Sequence, residues 1–251
     1  MKRVLALLFT GALAVVLLYV VALLPPMGDA ENPTNQHVAP RYLEHGQQEA
    51  GTRNIVTAVV FNYRGYDTMG EVAIFSAALA GVFAVLGLGR RKFARASIDQ
   101  SGVKFSFISR TAVVLLLPLI IIFSIYIILY GIDLPGGGFQ GGAIIGAGVI
   151  SITITFGYYR AQRQIPHHVR TILESTAISA FFVVGTAGVI GGANFLTITL
   201  PQLSTQIQPP VRELMLLVLL FAVGIKGGMV FTSILFALLR EEETNDVEHA
   251  A

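Results

Sequence analysis

A chain of 251 residues that is 54% hydrophobic and only 13% charged, with a mean hydropathy of +0.70, excludes a soluble globular fold. The absence of cysteine excludes disulfides, thiolate metal ligation, iron–sulfur clusters and a cysteine nucleophile, so no cofactor or metal is expected and any redox chemistry belongs to a partner. A net charge of +2 carries no nucleic-acid signature, and the placement of the charges matters more than their sum.

Met1-Lys2-Arg3 and the apolar run Val4 to Leu24 combine a basic start with about the 20 residues a spanning helix needs, which reads as a retained first span. Pro25-Pro26 ends it, because proline lacks the amide donor and restrains the residue before it. Met27 to Gly51 is too polar for lipid and reads as a loop outside the bilayer. The apolar run Asn54 to Tyr63 is too short to cross. It reads as a half-helix leading into Arg64-Gly65-Tyr66-Asp67-Thr68-Met69-Gly70-Glu71. Val72 to Leu88 is the second span, closed by Arg90-Arg91-Lys92. Beyond a basic linker, Thr111 to Tyr130, Ala143 to Tyr159, Ile172 to Phe195 and Leu214 to Leu239 are four more, followed by an acidic tail from Glu241 to Glu248. The expected fold is all-α, a polytopic membrane protein of about six transmembrane helices.

Basic residues near span ends mark the cytoplasmic side. With the amino terminus inside, Lys2, Arg3, Arg90, Arg91, Lys92, Arg95, Lys104, Arg110, Arg160, Arg163, Arg170 and Arg240 fall inside, 12 of the 17 basic residues. Arg41, Arg53, Arg64 and Arg212 fall outside, and Lys226 lies within a span. Both termini are therefore expected in the cytoplasm, with Leu134-Pro135-Gly136-Gly137-Gly138-Phe139-Gln140-Gly141-Gly142 at the outer face of a cell membrane.

Two readings fit that glycine stretch. It is a broken start to the fourth helix beside a hydrated cavity, since irregular backbone at membrane depth needs a buried or wet place. Or it is a tight turn with close helix packing, since Gly138, Gly142 and Gly146 have the four-residue spacing that lets helices touch. No Lys-Ser or Lys-Thr follows to make a phosphate loop.

Charged residues at membrane depth mark ion paths or proton relays. Glu71 opens the second span and is read as an ion-handling carboxylate, with Arg64 its counter-charge; Asp67, one turn earlier, suits the cap of the helix. Lys226 lies in mid-span within Ala222-Val223-Gly224-Ile225-Lys226-Gly227-Gly228, too deep to snorkel, and needs an internal partner or a wet path. Glu174, near the inner end of the fifth span, is its acidic candidate, unless it is simply on the surface. His37, His45, His167 and His168 have no metal-ligand company and read as solvated. No Gly-Xaa-Ser-Xaa-Gly or His-Glu-Xaa-Xaa-His motif offers hydrolytic machinery, so the chain is not expected to be an enzyme.

The stretch from Tyr130 to Gly142, followed by Glu174, Asn194-Phe195-Leu196 and Val223-Gly224-Ile225-Lys226, resembles the B subunit family of multisubunit Mrp-type sodium/proton antiporters. The Pro135 to Phe139 core is the specific part of that resemblance. Where the family often has Gly-His before the motif this chain has Gly131-Ile132, so a proton role for that histidine does not transfer. Residues Pro33 to Tyr42, Asn54 to Val59 and Arg64 to Glu71 resemble the small E subunit of energy-converting membrane-bound hydrogenases, itself similar to the carboxy-terminal part of the large antiporter A subunit. The resemblance implies a fusion: residues 1–92 similar to the hydrogenase E subunit, a cytoplasmic linker 93–107, an antiporter B-like domain 108–240 with four spans, and a cytoplasmic tail 241–251. It also implies that Glu71 matches a carboxylate on an ion route.

The expected function is that of a non-catalytic subunit of a sodium/proton antiporter, with other membrane subunits, Na+, H+ and the lipid bilayer as partners. The alternatives are a membrane-arm subunit of a group 4 hydrogenase or related ferredoxin-driven complex, and a purely structural packing subunit.

Overall fold

The computed structural model of the chain describes residues 2–86 and 106–250, with side chains for residues 3–86 and 106–239. Most of the expected linker, the basic residues Arg90, Arg91, Lys92, Arg95 and Lys104, and the side chains of the acidic tail lie outside the described residues. The chain divides into two compact units, Met1–Glu44 and His45–Ala251.

In the first unit α1 (Lys2–Ala22) is apolar and exposed on every side, from Val4 to Val21. Its end at Ala22 precedes Pro25-Pro26, as the missing proline donors require. Beyond a turn at Gly28, the Asp29 carboxylate accepts from the Glu31 amide. A π-helical turn, Thr34–Val38, then leads into α2 (Ala39–Ala50), which runs across the boundary into the second unit. The segment expected as a loop is therefore partly helical. Its polarity keeps it out of lipid but does not forbid a helix, and Pro40 falls in the first turn, where a missing amide is tolerated.

The second unit is built on α9 (Gln208–Ala250), packed against α4 (Gly65–Val85), α6 (Gly138–Phe156) and α8 (His167–Ile190), with α5 (Phe107–Leu129) covering α6. With α1, these are six helices long and apolar enough to cross a membrane, and no strand occurs among the described residues. The protein is a multi-pass membrane protein. On α9, Leu216, Leu219, Leu220 and Val223 are buried at the spacing of one helical stripe. Lys226 is the next residue of that stripe. The short α3 (Ile55–Ala58) and a π-helical turn, Val59–Tyr63, form the expected half-helix, and α7 (Tyr158–Gln164) links α6 to α8.

Several helix boundaries differ from expectation, among them the start of α4, which lies at Gly65 instead of Val72. Helix α6 begins at Gly138 instead of Ala143, so the later glycines lie inside its first turns. Helix α8 begins at His167, so His167 and His168 open a helix instead of lying in a loop. Helix α9 continues to Ala250, so the acidic tail is a helical extension; charge bars it from lipid, not from helix.

The glycines set the spacing of the bundle. A Cβ on Gly138 would collide with the Leu220 carbonyl oxygen, one on Gly142 would lie 2.5 Å from the Gly224 carbonyl oxygen, and one on Gly228 3.1 Å from that of Gly142. Helices α6 and α9 thus touch backbone to backbone. Gly137 carries a φ of +151° at the start of α6, a conformation other residues rarely adopt.

Candidate functional site: a buried ion pair and an exposed carboxylate

The start of the glycine stretch is clamped from the amino-terminal half of the chain. Asn54 caps α3, accepting from the Val56 amide at 3.0 Å. Its Nδ2 donates to the Gly131 and Leu134 carbonyls, both at 2.8 Å. The Thr52 hydroxyl donates to the Ile132 carbonyl and that of Thr57 to the Gly131 carbonyl. These bonds satisfy backbone groups that a helix interruption at membrane depth leaves open. Pro135 is exposed, Phe139 sits edge-on to Phe75, and Gly141 packs on Ile128. The stretch holds backbone geometry and contains no ionisable side chain; the exposed Asp133 directly precedes it.

The ionisable groups meet deeper in the bundle. Lys226 is 2% exposed, and its Nζ lies 3.5 Å from Glu174 Oε2. The other carboxylate oxygen, Oε1, accepts a hydrogen bond from the Ser233 hydroxyl at 2.9 Å. Helices α8 and α9 bring the three together because Lys226 and Ser233, two turns apart, share the α9 face on which α8 lies. At 3.5 Å the contact is an ion pair at the long end of hydrogen-bond distance.

Arg170, one turn before Glu174 on α8, is expected from its charge among the cytoplasmic loops; in the structure it is buried, 5% exposed. Its guanidinium lies 4.5 Å from the ring centroid of Phe236, and Nε and Nη1 have no hydrogen-bond partner. Tyr158 is edge-on to the same Phe236. Lys226, Glu174 and Ser233 therefore form one contact group, and Arg170 lies one helical turn before Glu174 on α8.

The α4 cluster differs. Arg64, expected as the counter-charge of Glu71, pairs with Asp67 at 2.5 Å, both of them more than half exposed. Asp67 lies in the first turn of α4, where a negative charge suits the helix dipole. Glu71 is exposed on α4, about 9 Å along the helix from Gly65 at 1.5 Å per residue. One turn further, Phe75 packs against Phe139 and Phe231. No cluster of His, Cys, Asp and Glu fit to hold a metal occurs among the described residues.

Two families match consecutive segments of the chain. The family described as a domain related to the MnhB subunit of Na+/H+ antiporter matches residues 108–236, and the family of the E subunit of MBH matches residues 10–104. The chain belongs to the MnhB-related family. The A/B subunit of a probable K(+)/H(+) antiporter of Rhizobium meliloti is 28% identical over 137 residues, 47% of this chain and 14% of that protein. An uncharacterised protein of Methanocaldococcus jannaschii is 30% identical over 155 residues, 57% of this chain and 59% of that protein. The chain thus spans less than two thirds of either curated relative. Among solved structures, a chain of an archaeal respiratory membrane complex, the membrane-bound sulfane sulfur reductase, matches with a TM-score of 0.62 and 28% identity over 95% of this chain and 98% of that one. A chain of the Mrp complex from a Dietzia species has the same fold, with a TM-score of 0.61 and 24% identity over 93% of this chain and 26% of that one.

Arg170, Ser233 and the Thr52–Asn54–Thr57 clamp are the residues that sequence reasoning missed. Asn54 alone carried a local signal, a capping residue directly before an apolar run.

Proposed function

We propose that the chain is a non-catalytic subunit of a multisubunit cation/proton antiporter, fusing a region similar to the hydrogenase E subunit (1–92) to an antiporter B-like domain (108–240), with both termini in the cytoplasm. The observation that carries this reading is the buried Lys226–Glu174–Ser233 cluster. An ammonium at this depth is costly unless it has a partner, and the partner it has is a carboxylate that is itself able to carry a proton or meet a cation. In this reading Glu174 is the ion-handling carboxylate, with Lys226 on Oε2 and the Ser233 hydroxyl on Oε1. Glu71 faces outward from α4 and completes its path against another membrane subunit. The glycine motif from Pro135 to Gly142 sets helix spacing and takes no proton.

Cation identity is read in membrane vesicles carrying the whole complex, with Na+ and K+ compared, since the relatives are named for each ion. Glu174→Gln and Lys226→Ala are expected to abolish cation-dependent proton movement while the complex still assembles. Full activity in both would remove the ion-path role.

A second reading is favoured by one observation: the sulfane sulfur reductase chain matches nearly end to end, with both segments in one polypeptide. In that reading the same membrane unit couples ion flow to a ferredoxin-driven or hydrogenase-type redox arm. Co-purification of iron–sulfur subunits with this chain decides for it; purification with membrane subunits alone decides for the antiporter.

A further inference from the structure

At the corner where α5, α6 and α7 meet, two openings share a wall and no part of the ion-handling cluster. The inner one, about 200 Å³, is lined by Val113, Val114, Leu117 and Pro118 of α5 and by Ile152 and Phe156 of α6. The outer one, about 630 Å³, lies over Phe156 and is lined by Tyr159, Arg160, Arg163 and Gln164 of α7. Arg160 and Gln164 border both.

The local sequence explains the shape. Gly157, at φ +88°, ends α6 and turns the chain into α7. Tyr158 and Ala161 then bury one face of α7, with Tyr158 against Phe236, while Arg160, Arg163 and Gln164 share the opposite, exposed face. Pro118 has no amide to give the Val114 carbonyl, so the α5 wall of the groove is interrupted at that point. Arg160 stacks on Phe156, its guanidinium 5.0 Å from the ring centroid, at the junction of the two openings. Arg110 is exposed on α5 one turn before Val113 and Val114, which adds a third cation to the same end.

We infer that this corner is a binding site for an anionic phospholipid. Two guanidinium groups at neighbouring positions of one helix face repel each other, and a phosphate between them relieves that repulsion and accepts fork-like hydrogen bonds from both. The apolar groove below is smaller than the roughly 300–1,000 Å³ of sites that enclose a whole small molecule, and suits a segment of one acyl chain. Tyr159, exposed beside the arginines, is the kind of side chain that settles at the headgroup level. A basic mouth continuous with an apolar slot on the membrane face matches a lipid; a free phosphate would leave the slot unused, and a partner helix would leave the arginines without an anion.

The chain contains no tryptophan, so a single introduced indole reports on the site without background. Phe156→Trp, in the purified full chain, places it at the junction and keeps an aromatic face for Arg160. The chain is reconstituted in phosphatidylcholine vesicles containing a small fraction of phosphatidylglycerol brominated on its acyl chains, or the same fraction of brominated phosphatidylcholine. Quenching is expected at lipid fractions on the order of thirtyfold lower for the anionic lipid, the size two basic side chains ordinarily give at an anionic surface. Arg160→Gln with Arg163→Gln abolishes that preference, whereas Arg160→Lys with Arg163→Lys retains most of it. A second indole, Leu119→Trp on the exposed face of α5, is quenched equally by both lipids. Equal quenching of the Phe156→Trp indole by the two lipids, no quenching at all, or a preference that survives the double glutamine substitution would each overturn the assignment. None of these readouts depends on ion transport, so failure here and failure of the antiporter reading are separate results.

Discussion

Two carboxylates in this bundle sit in opposite surroundings. Glu174 is largely enclosed, with Lys226 at 3.5 Å and the Ser233 hydroxyl at 2.9 Å. Glu71 is exposed on α4, and Arg64, the cation nearest it in sequence, pairs with Asp67. A buried ion pair brings its desolvation cost with it and must be balanced inside the chain. An exposed carboxylate on a spanning helix can be balanced only from outside the chain, by water or by another subunit. The difference teaches that one chain holds a closed half-site and an open one. In the proposed function, the first depends on the chain's own fold and the second on assembly.

Removing Lys226 tests the closed site most severely. Lys226→Ala leaves Glu174 enclosed without its cation, and a loss of about 3–5 kcal/mol is expected in the unfolding of the purified chain in detergent. The double substitution Lys226→Met with Glu174→Leu is expected to regain most of that stability and no transport. If the double variant transports ions, the pair is structural and the comparison with Glu71 collapses.

The outer clamp comes next. Asn54→Ala removes the α3 cap and both bonds to the glycine-stretch carbonyls; Gly131 keeps the Thr57 hydroxyl, while Leu134 loses the amide that Asn54 gave it. The expected cost is about 1–2 kcal/mol. Hydrogen exchange should show the loss as faster opening of residues 131–138, with the Lys226 region unchanged.

How far these sites could be read from sequence follows from how local their causes are. Lys226 stands out in any reading, because a charge in an apolar run has no neutral explanation, and the periodicity of Leu216, Leu219, Leu220 and Val223 carries it to the buried face. The packing role of Gly138 and Gly142 was legible in their spacing; that their partners are Leu220 and Gly224 was not, because contacts between α6 and α9 depend on how the chain returns. Arg170 was misread for a similar reason. It follows Pro166 and two histidines and looks like a loop cation, and only the packing of α7 and Phe236 over it makes it buried. Ser233 gave no signal, since a hydroxyl in an apolar helix ordinarily bonds the carbonyl one turn back, as Thr232 does to Gly228. The register of α8 against α9 alone turns Ser233 toward Glu174.

Arg170 supplies a smaller and sharper test of the closed site. In the structure its Nε and Nη1 have no hydrogen-bond partner and its guanidinium lies over the Phe236 ring. Arg170→Met removes buried, unsatisfied donors together with a cation–π contact of similar size, so a net change below about 1 kcal/mol is expected in the same unfolding measurement. A cost of about 3 kcal/mol or more, as for Lys226, would mean that Arg170 is itself a counter-charge of Glu174 and that Lys226, Glu174 and Arg170 act as one salt-bridged unit.

The smallest stability effect belongs to the open site, and there the contrast is decided. Glu71→Gln keeps the size of a side chain that is exposed in the single chain, so the stability of the purified chain should move by no more than about 0.5 kcal/mol. In the assembled complex the same change is expected to abolish cation-dependent proton movement, since glutamine can neither ionise nor exchange a proton. Glu71→Asp, which keeps the charge on a shorter stem, should return part of that movement. Loss of transport with unchanged chain stability is the signature of a group whose partner lies on another subunit. If Glu71→Gln destabilises the isolated chain as much as Lys226→Ala does, Glu71 has its counter-charge within this polypeptide and the α4 site is closed like the other.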